Sequence, residues 1–142
     1  MDFSLTKEQG MFQDMAKEFA EREVAPSAQA RDREELFFPE VMQKMADQGF
    51  FAIKVPEEMG GMGLDWTTMG LVAEQLAAVD FSVALTCYVQ TSLEIMPILL
   101  GGTEEQKNKF IPELMAGKKI GCLAAVEPNA GSDATSVQMS AV

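Results

Sequence analysis

The run Leu123-Ala124-Ala125-Val126-Glu127-Pro128-Asn129-Ala130-Gly131-Ser132-Asp133 joins two kinds of binding chemistry. Its apolar first half reads as extended chain, whose backbone amides can lie along a flat polar ring. The half after Pro128 offers small-residue N–H groups, the Ser132 hydroxyl and the Asp133 carboxylate, a set that can wrap a phosphate. A ligand carrying both a ring and a pyrophosphate would use the two halves together, and flavin adenine dinucleotide (FAD) is one. Gly131 permits positive φ, so that successive N–H groups can converge, and Ser132 adds a rotatable donor. On composition alone, a ligand-free Asn-Ala-Gly turn accounts for the loop equally well. An Asp133 carboxylate facing a phosphate would repel it, so this group is expected to turn back onto backbone N–H groups. Glu127 is a candidate general base by its position, but one carboxylate beside a proline turn is more simply read as tying down the loop.

Such a segment needs a scaffold, and the rest of the sequence reads as helices. Thr6-Lys7-Glu8-Gln9 is a capping box, followed at helical spacing by Phe12, Met15, Ala16, Phe19 and Ala20. Pro26 is expected to end that helix, and Arg31-Asp32-Arg33-Glu34-Glu35 to form a solvated connector. Pro39 suits the first turn of a second helix, with Val41, Met42, Met45 and Ala46 inward and Gly49 as its C-cap. Residues 50–56 read as extended and lead into Gly60-Gly61-Met62-Gly63. Asp65 then caps a third helix bearing Met69, Val72, Ala73 and Leu76 on one face. Residues 80–100 are apolar nearly all round, the pattern of a helix buried between others. Gln90, Glu94 and Pro97 interrupt the run and argue against a membrane span. Thr103-Glu104-Glu105-Gln106 is a second capping box. It opens a helix carrying Phe110, Ile111 and Leu114, interrupted or restarted at Pro112 and ended by Gly117. Only residues 120–126 read as a strand, and a lone strand needs partners from elsewhere. The expected fold class is mainly α. Five to six helices occupy residues 1–118, and residues 119–142 begin a β-domain that is cut short.

Composition narrows the chemistry. With 142 residues, 47% of them hydrophobic, the chain can bury one core. A net charge of −11 speaks against binding nucleic acid or an anionic membrane surface. The absence of histidine removes Ser-His-Asp and Cys-His catalysis and His-ligated zinc, and no metal site is expected. Cys87 and Cys122 lack CxxC spacing and sit in apolar surroundings, so both are expected as buried, reduced thiols. The loop Gly60 to Gly63 fails as a dinucleotide motif. Trp66 stands where a third glycine belongs, and Asp65 would place negative charge where a phosphate must sit. No secretory signal is visible near Met1-Asp2-Phe3, a start that fits a bacterial cytoplasmic protein.

With these residues in view, the chain resembles the N-terminal part of the acyl-CoA dehydrogenase family. Val55-Pro56-Glu57-Glu58-Met59-Gly60-Gly61-Met62-Gly63 is similar to the family's early glycine loop. Gly102-Thr103-Glu104-Glu105-Gln106-Lys107, running on to Pro112, Leu114 and Gly117, is similar to its segment between the fourth and fifth helices. Glu127-Pro128-Asn129-Ala130-Gly131-Ser132-Asp133 resembles its flavin loop. The resemblance implies an α-helical domain followed by a β-barrel-like middle domain and a helical bundle, assembled as a homotetramer or homodimer. It implies FAD contacts from Leu123, Ala124, Ala125, Val126, Glu127, Pro128, Asn129, Ala130, Gly131 and Ser132, with Ser132 also near the acyl-CoA. The reaction implied removes an α-proton to a carboxylate base and a β-hydride to the flavin. Its product is a trans-2-enoyl thioester, and its electrons pass to an electron-transfer flavoprotein. That base lies in the family's C-terminal bundle, so no catalytic residue is assigned in this chain, and the segment alone is expected to be inactive.

Two features refine this. The family usually places a hydroxyl residue before the glutamate, bonded near the flavin's reactive nitrogen. Val126 stands there, so the flavin potential is expected to differ, or a reductase working in the opposite direction to fit. The helix spanning 82–92 resembles the one lining the family's acyl pocket and contains no lysine or arginine. An apolar acyl chain is therefore expected rather than a dicarboxylyl one. A non-catalytic binding or assembly homologue is the reading of a different class.

Overall fold

In the computed structural model, which describes residues 4–140, five continuous helical rods are present. The first comprises α1 (Lys7–Phe19), a π turn (Ala20–Val24) and α2 (Ala25–Glu34). The second is α3 (Pro39–Asp47) and the third α4 (Trp66–Ala77). The fourth joins α5 (Phe81–Val89), a second π turn (Gln90–Ile95) and α6 (Met96–Gly101), and the fifth is α7 (Glu104–Met115). The expected start Met1-Asp2-Phe3 lies outside the described residues.

The caps form as the sequence dictates. Thr6 and Gln9 bond reciprocally at the start of α1, as do Thr103 and Gln106 at α7. Asp65 accepts the Thr68 N–H at 2.7 Å, and Gly49 ends α3 with φ of +78°. Where the structure departs is at proline. Pro26 does not end its helix, because the chain enters it from a π turn. A proline inside an α-helix lacks a donor and crowds the carbonyl four residues back. The wider turn moves the hydrogen bond to the fifth residue back, as Ala25 N–H to Ala20 O shows. The fourth rod repeats the device: Met96 N–H reaches Thr91 O, and Pro97 follows at once. Helix α7 simply continues through Pro112, held by buried Ile111 and Leu114.

Residues 50–56 are not extended but coil through successive turns, with Ala52 N–H to Gly49 O at 2.9 Å and Val55 N–H to Ala52 O at 3.1 Å. Phe50, Phe51, Ile53 and Val55 are wholly buried there, and Phe50 meets Phe19 edge-on at 5.3 Å between centroids. In the charged run 31–35, Asp32, Arg33, Glu34 and Glu35 are solvated as expected, but residues 31–34 are helix rather than connector, and Arg31 is not solvated. Arg31 lies within α2, buried, its guanidinium 2.7 Å from the Asp80 carboxylate and over the Phe38 ring. Only Glu35 leaves the helix, in a left-handed conformation at φ 54°.

The fourth rod is also less enclosed than its composition suggests. Val83, Ala84, Cys87 and Ile95 enter the core, whereas Phe81, Leu85, Tyr88, Leu93 and Leu100 stay exposed. By length and composition Phe81–Gly101 is apolar enough to cross a membrane, but here its inner face packs into the helical core. The anticipated strand at 120–126 forms no ladder. Among the described residues the only β-type pairing is an isolated bridge between Glu127 and Ala130, because no second extended segment lies alongside.

Candidate functional site

The chain leaves α7 at Gly117 (φ +66°) and is gripped at once by the second π turn. Gln90, 1% exposed, donates from Nε2 to Leu114 O at 3.1 Å and to Lys119 O at 2.9 Å. Its Oε1 accepts the Gly121 N–H at 3.1 Å. Beyond that point the backbone from Cys122 to Val126 makes no hydrogen bond to another described residue, and Leu123, Ala124, Ala125 and Val126 are all exposed. Cys122 is exposed with them, against expectation, since no element covers this side of the segment. Cys87 is buried as expected, and loss of solvent pushes its thiol up to about 12, so it stays a thiol.

The turn that follows is tight. Glu127 and Ala130 exchange both backbone bonds at 3.0 Å, with Pro128 and Asn129 exposed at the corner. Glu127 does tie down the loop: its two oxygens accept the Gln138 and Met139 N–H groups, each at 2.9 Å. Asp133 turns back as anticipated, accepting the Thr135 N–H at 3.2 Å and the Thr135 and Ser136 hydroxyls. These bonds hold its carboxyl below the ordinary aspartate range. Gly131 does not adopt positive φ, and a Cβ there would meet open space, so nothing within the described chain requires glycine. Ser132 is exposed beside it.

This donor set suits a polar ring joined to an anion. The backbone amides from 122 to 126 are unbonded in exposed residues, and both nearby carboxylates spend their charge on their own loop rather than presenting it to a ligand. Of the contiguous residues anticipated from the sequence, Leu123, Ala124, Ala125, Val126, Pro128, Asn129, Gly131 and Ser132 are exposed and Glu127 is half-buried, whereas Ala130 is buried and offers no accessible side chain. What sequence reasoning missed is the grip on their approach. The only signal for it was the pair of polar residues, Gln90 and Glu94, breaking an apolar helix.

Glu94 is 8% exposed, and its Oε1 has no partner among the described residues. Loss of solvent raises its pKa above the ordinary 4.5. The unfolded chain gives up this proton more readily than the folded one. The resulting penalty on folding grows as pH rises through 4.5 and levels off above the folded value. Glu94→Gln should therefore raise stability toward neutral pH and bring no gain below pH 4.5. Urea melts at several pH values check this, and a gain independent of pH contradicts it.

The Asp65 cap also disposes of a phosphate at the Gly60 to Gly63 loop. Its carboxylate occupies the start of α4, bonded to Thr68 and to Gln9 Nε2 at 2.9 Å, and these bonds hold it below its usual range.

The chain is similar to several known proteins. The family profile described as "Acyl-CoA dehydrogenase, N-terminal domain" matches residues 6–118. A short-chain specific acyl-CoA dehydrogenase of Clostridium acetobutylicum is 40% identical over 142 residues, covering 100% of this chain and 38% of that protein. An NADH-dependent acryloyl-CoA reductase of Anaerotignum propionicum is 38% identical, covering 100% of this chain and 36% of its own length. The structure of butyryl-CoA dehydrogenase from Megasphaera elsdenii superposes with a TM-score of 0.88 at 37% identity, covering 97% of this chain and 37% of that one. This chain thus spans less than two fifths of the length of each.

Proposed function

This chain belongs to the acyl-CoA dehydrogenase family, and from that premise we propose that it provides one wall of an FAD site for α,β-dehydrogenation of an acyl-CoA thioester to the trans-2-enoyl-CoA. The observation that carries this reading is the row of exposed, unbonded amides from 122 to 126. It runs into a turn whose two acids face away. In this reading Leu123, Ala124, Ala125 and Val126 lie along the polar edge of the flavin. Glu127, Pro128, Asn129, Ala130 and Gly131 carry the chain past the diphosphate, and Ser132 also reaches the acyl-CoA. When bound, the flavin supplies the hydride acceptor. The chain's part is to orient that ring and to offer N–H dipoles where negative charge develops. Residues 119–142 then open a second, β-type domain, and the base carboxylate comes from outside this sequence.

The substrate favoured is an apolar acyl chain. No cation lies on the helical stretch 82–92, and a distal carboxylate there would go unpaired. Electrons leave to an electron-transfer flavoprotein, and the protein assembles as a homodimer or homotetramer in the cytoplasm. A reductase of the same scaffold is the second reading, favoured by the acryloyl-CoA reductase relative and by Val126 in place of a hydroxyl residue.

The purified gene product, titrated with FAD and then anaerobically with butyryl-CoA and glutaryl-CoA, tests this. Bleaching of the visible flavin band by butyryl-CoA in preference to glutaryl-CoA is expected. Reduction by NADH with consumption of an enoyl-CoA assigns the reductase instead. A product that takes up FAD but responds to no thioester indicates a binding homologue. A colourless product that takes up no FAD overturns the site itself.

A further inference from the structure

The π turn that lets the fourth rod pass Pro97 also carries Gln90 and Glu94, four residues apart on one side of the widened turn. Both meet the connector leading to the flavin segment, and they meet it differently. Gln90 holds its backbone by two hydrogen bonds, to Lys119 O and Gly121 N–H, and the end of α7 by a third, to Leu114 O. Glu94 lies flat across Gly121: a Cβ added there would stand 2.5 Å from Glu94 Oε2 and 2.7 Å from its Cγ. The glycine is thus required by close approach, not by its own dihedrals. Past Gly121 nothing in the described chain holds the backbone until the Glu127 turn. The last hydrogen bond that ties the intervening row to the helical body is therefore the one at Gly121.

A purely packing role would not place an amide and a carboxyl here, since a buried polar group costs stability unless bonded, and one Glu94 oxygen is unbonded. We infer that Gln90 and Glu94 form a clamp on Gly121 that sets the position of the flavin-facing segment 122–132, making them positioning residues for that site. The inference rests on the flavin reading above. Displacements of about 1 Å at a site of this kind change binding and reactivity by orders of magnitude. π turns recur at functional positions because they re-aim side chains in this way.

The test uses the gene product with FAD. Gln90→Met keeps the side-chain length and removes all three bonds, and Gly121→Ala pushes the segment off Glu94 while leaving the Gln90 side chain itself unaltered. Each should raise the FAD dissociation constant about tenfold or more and shift the midpoint potential of the fully loaded protein. Amide exchange on the unaltered protein should show Gly121 protected and Leu123 open. Variants that lose melting temperature yet keep the affinity and potential of the loaded protein overturn the clamp, as does a Gly121 amide exchanging as fast as Leu123. An unaltered protein that takes up no FAD overturns the flavin reading and the clamp's part in it together. One that binds FAD indistinguishably from its variants overturns the clamp alone.

Discussion

Asp80→Ala should destabilise the folded chain by about 3 kcal/mol, lowering the urea midpoint and the melting temperature together. Asp80 does two jobs with two oxygens. Oδ1 accepts the Ser82 and Val83 N–H groups at 2.9 and 3.2 Å, capping α5, and Oδ2 takes the Arg31 guanidinium at 2.7 Å. The cap alone contributes about 1 kcal/mol. The larger loss lies in what is left behind. Arg31 is 9% exposed, and its Nε already lacks a partner among the described residues, so loss of the carboxylate leaves a mostly desolvated guanidinium with only Ser27 Oγ and Val24 O as acceptors. Removing one member of a buried pair typically costs 3–5 kcal/mol, about the lower end where, as at Asp80, the partner side chain keeps 13% exposure. Asp80→Asn keeps an oxygen for the cap and drops only the charge, so it should fall between the native chain and Ala. An Ala variant within about 1 kcal/mol of native would show the pair to be solvated. The consequence reaches the candidate site, because Asp80 starts the rod that bears Gln90 and Glu94.

Arg31 also shows why some of this molecule was legible in its sequence and some was not. Caps are local: Thr6 with Gln9, Asp65 with Thr68, and Gly49 after α3 need only their neighbours, and they were readable as such. The turn from Glu127 to Asp133 was readable for the same reason, since a proline corner, small residues and two acids that fold back on nearby backbone lie close together in the chain. Within the charge run at 31–35, where residues 32–35 are indeed solvated, Arg31 could not be singled out because its partner lies 49 residues away. Proline misled in the same manner, since a π turn leaves no residue-type signal. Pro26 and Pro97 therefore read as a stop and an interruption within rods that run on. Residues 50–56, an apolar run without period, fit strand and buried turn equally until packing decided for the turn. Gln90 and Glu94 were visible as interruptions, but nothing local joins them to Gly121.

Gly61→Ala is expected to cost about 3 kcal/mol or more, the upper range for overpacking, because the obstacle is backbone. A Cβ on Gly61 would stand 2.1 Å from Val55 O and 2.4 Å from Val55 C. That carbonyl cannot move away: it accepts the Gly63 N–H at 2.8 Å, while Val55 N–H is bonded to Ala52 O and the side chain is wholly buried. Gly60 offers the control. It has open space around it and φ of +82°, so Gly60→Ala meets only the left-handed penalty of about 1–2 kcal/mol. The contrast separates two meanings of a glycine cluster. A phosphate loop needs glycine for the ligand's approach, so an added methyl would lower FAD affinity at temperatures where the protein is still folded. A turn that seals a core needs glycine for its own backbone, so the methyl lowers stability while the affinity of each folded molecule is unchanged. With Asp65 closing the start of α4 and Phe50, Phe51 and Ile53 buried beneath, the second outcome is expected. Thermal melts beside FAD titrations of the two alanine variants decide it, and a fall in affinity without a fall in stability at Gly61 would move the nucleotide into that loop.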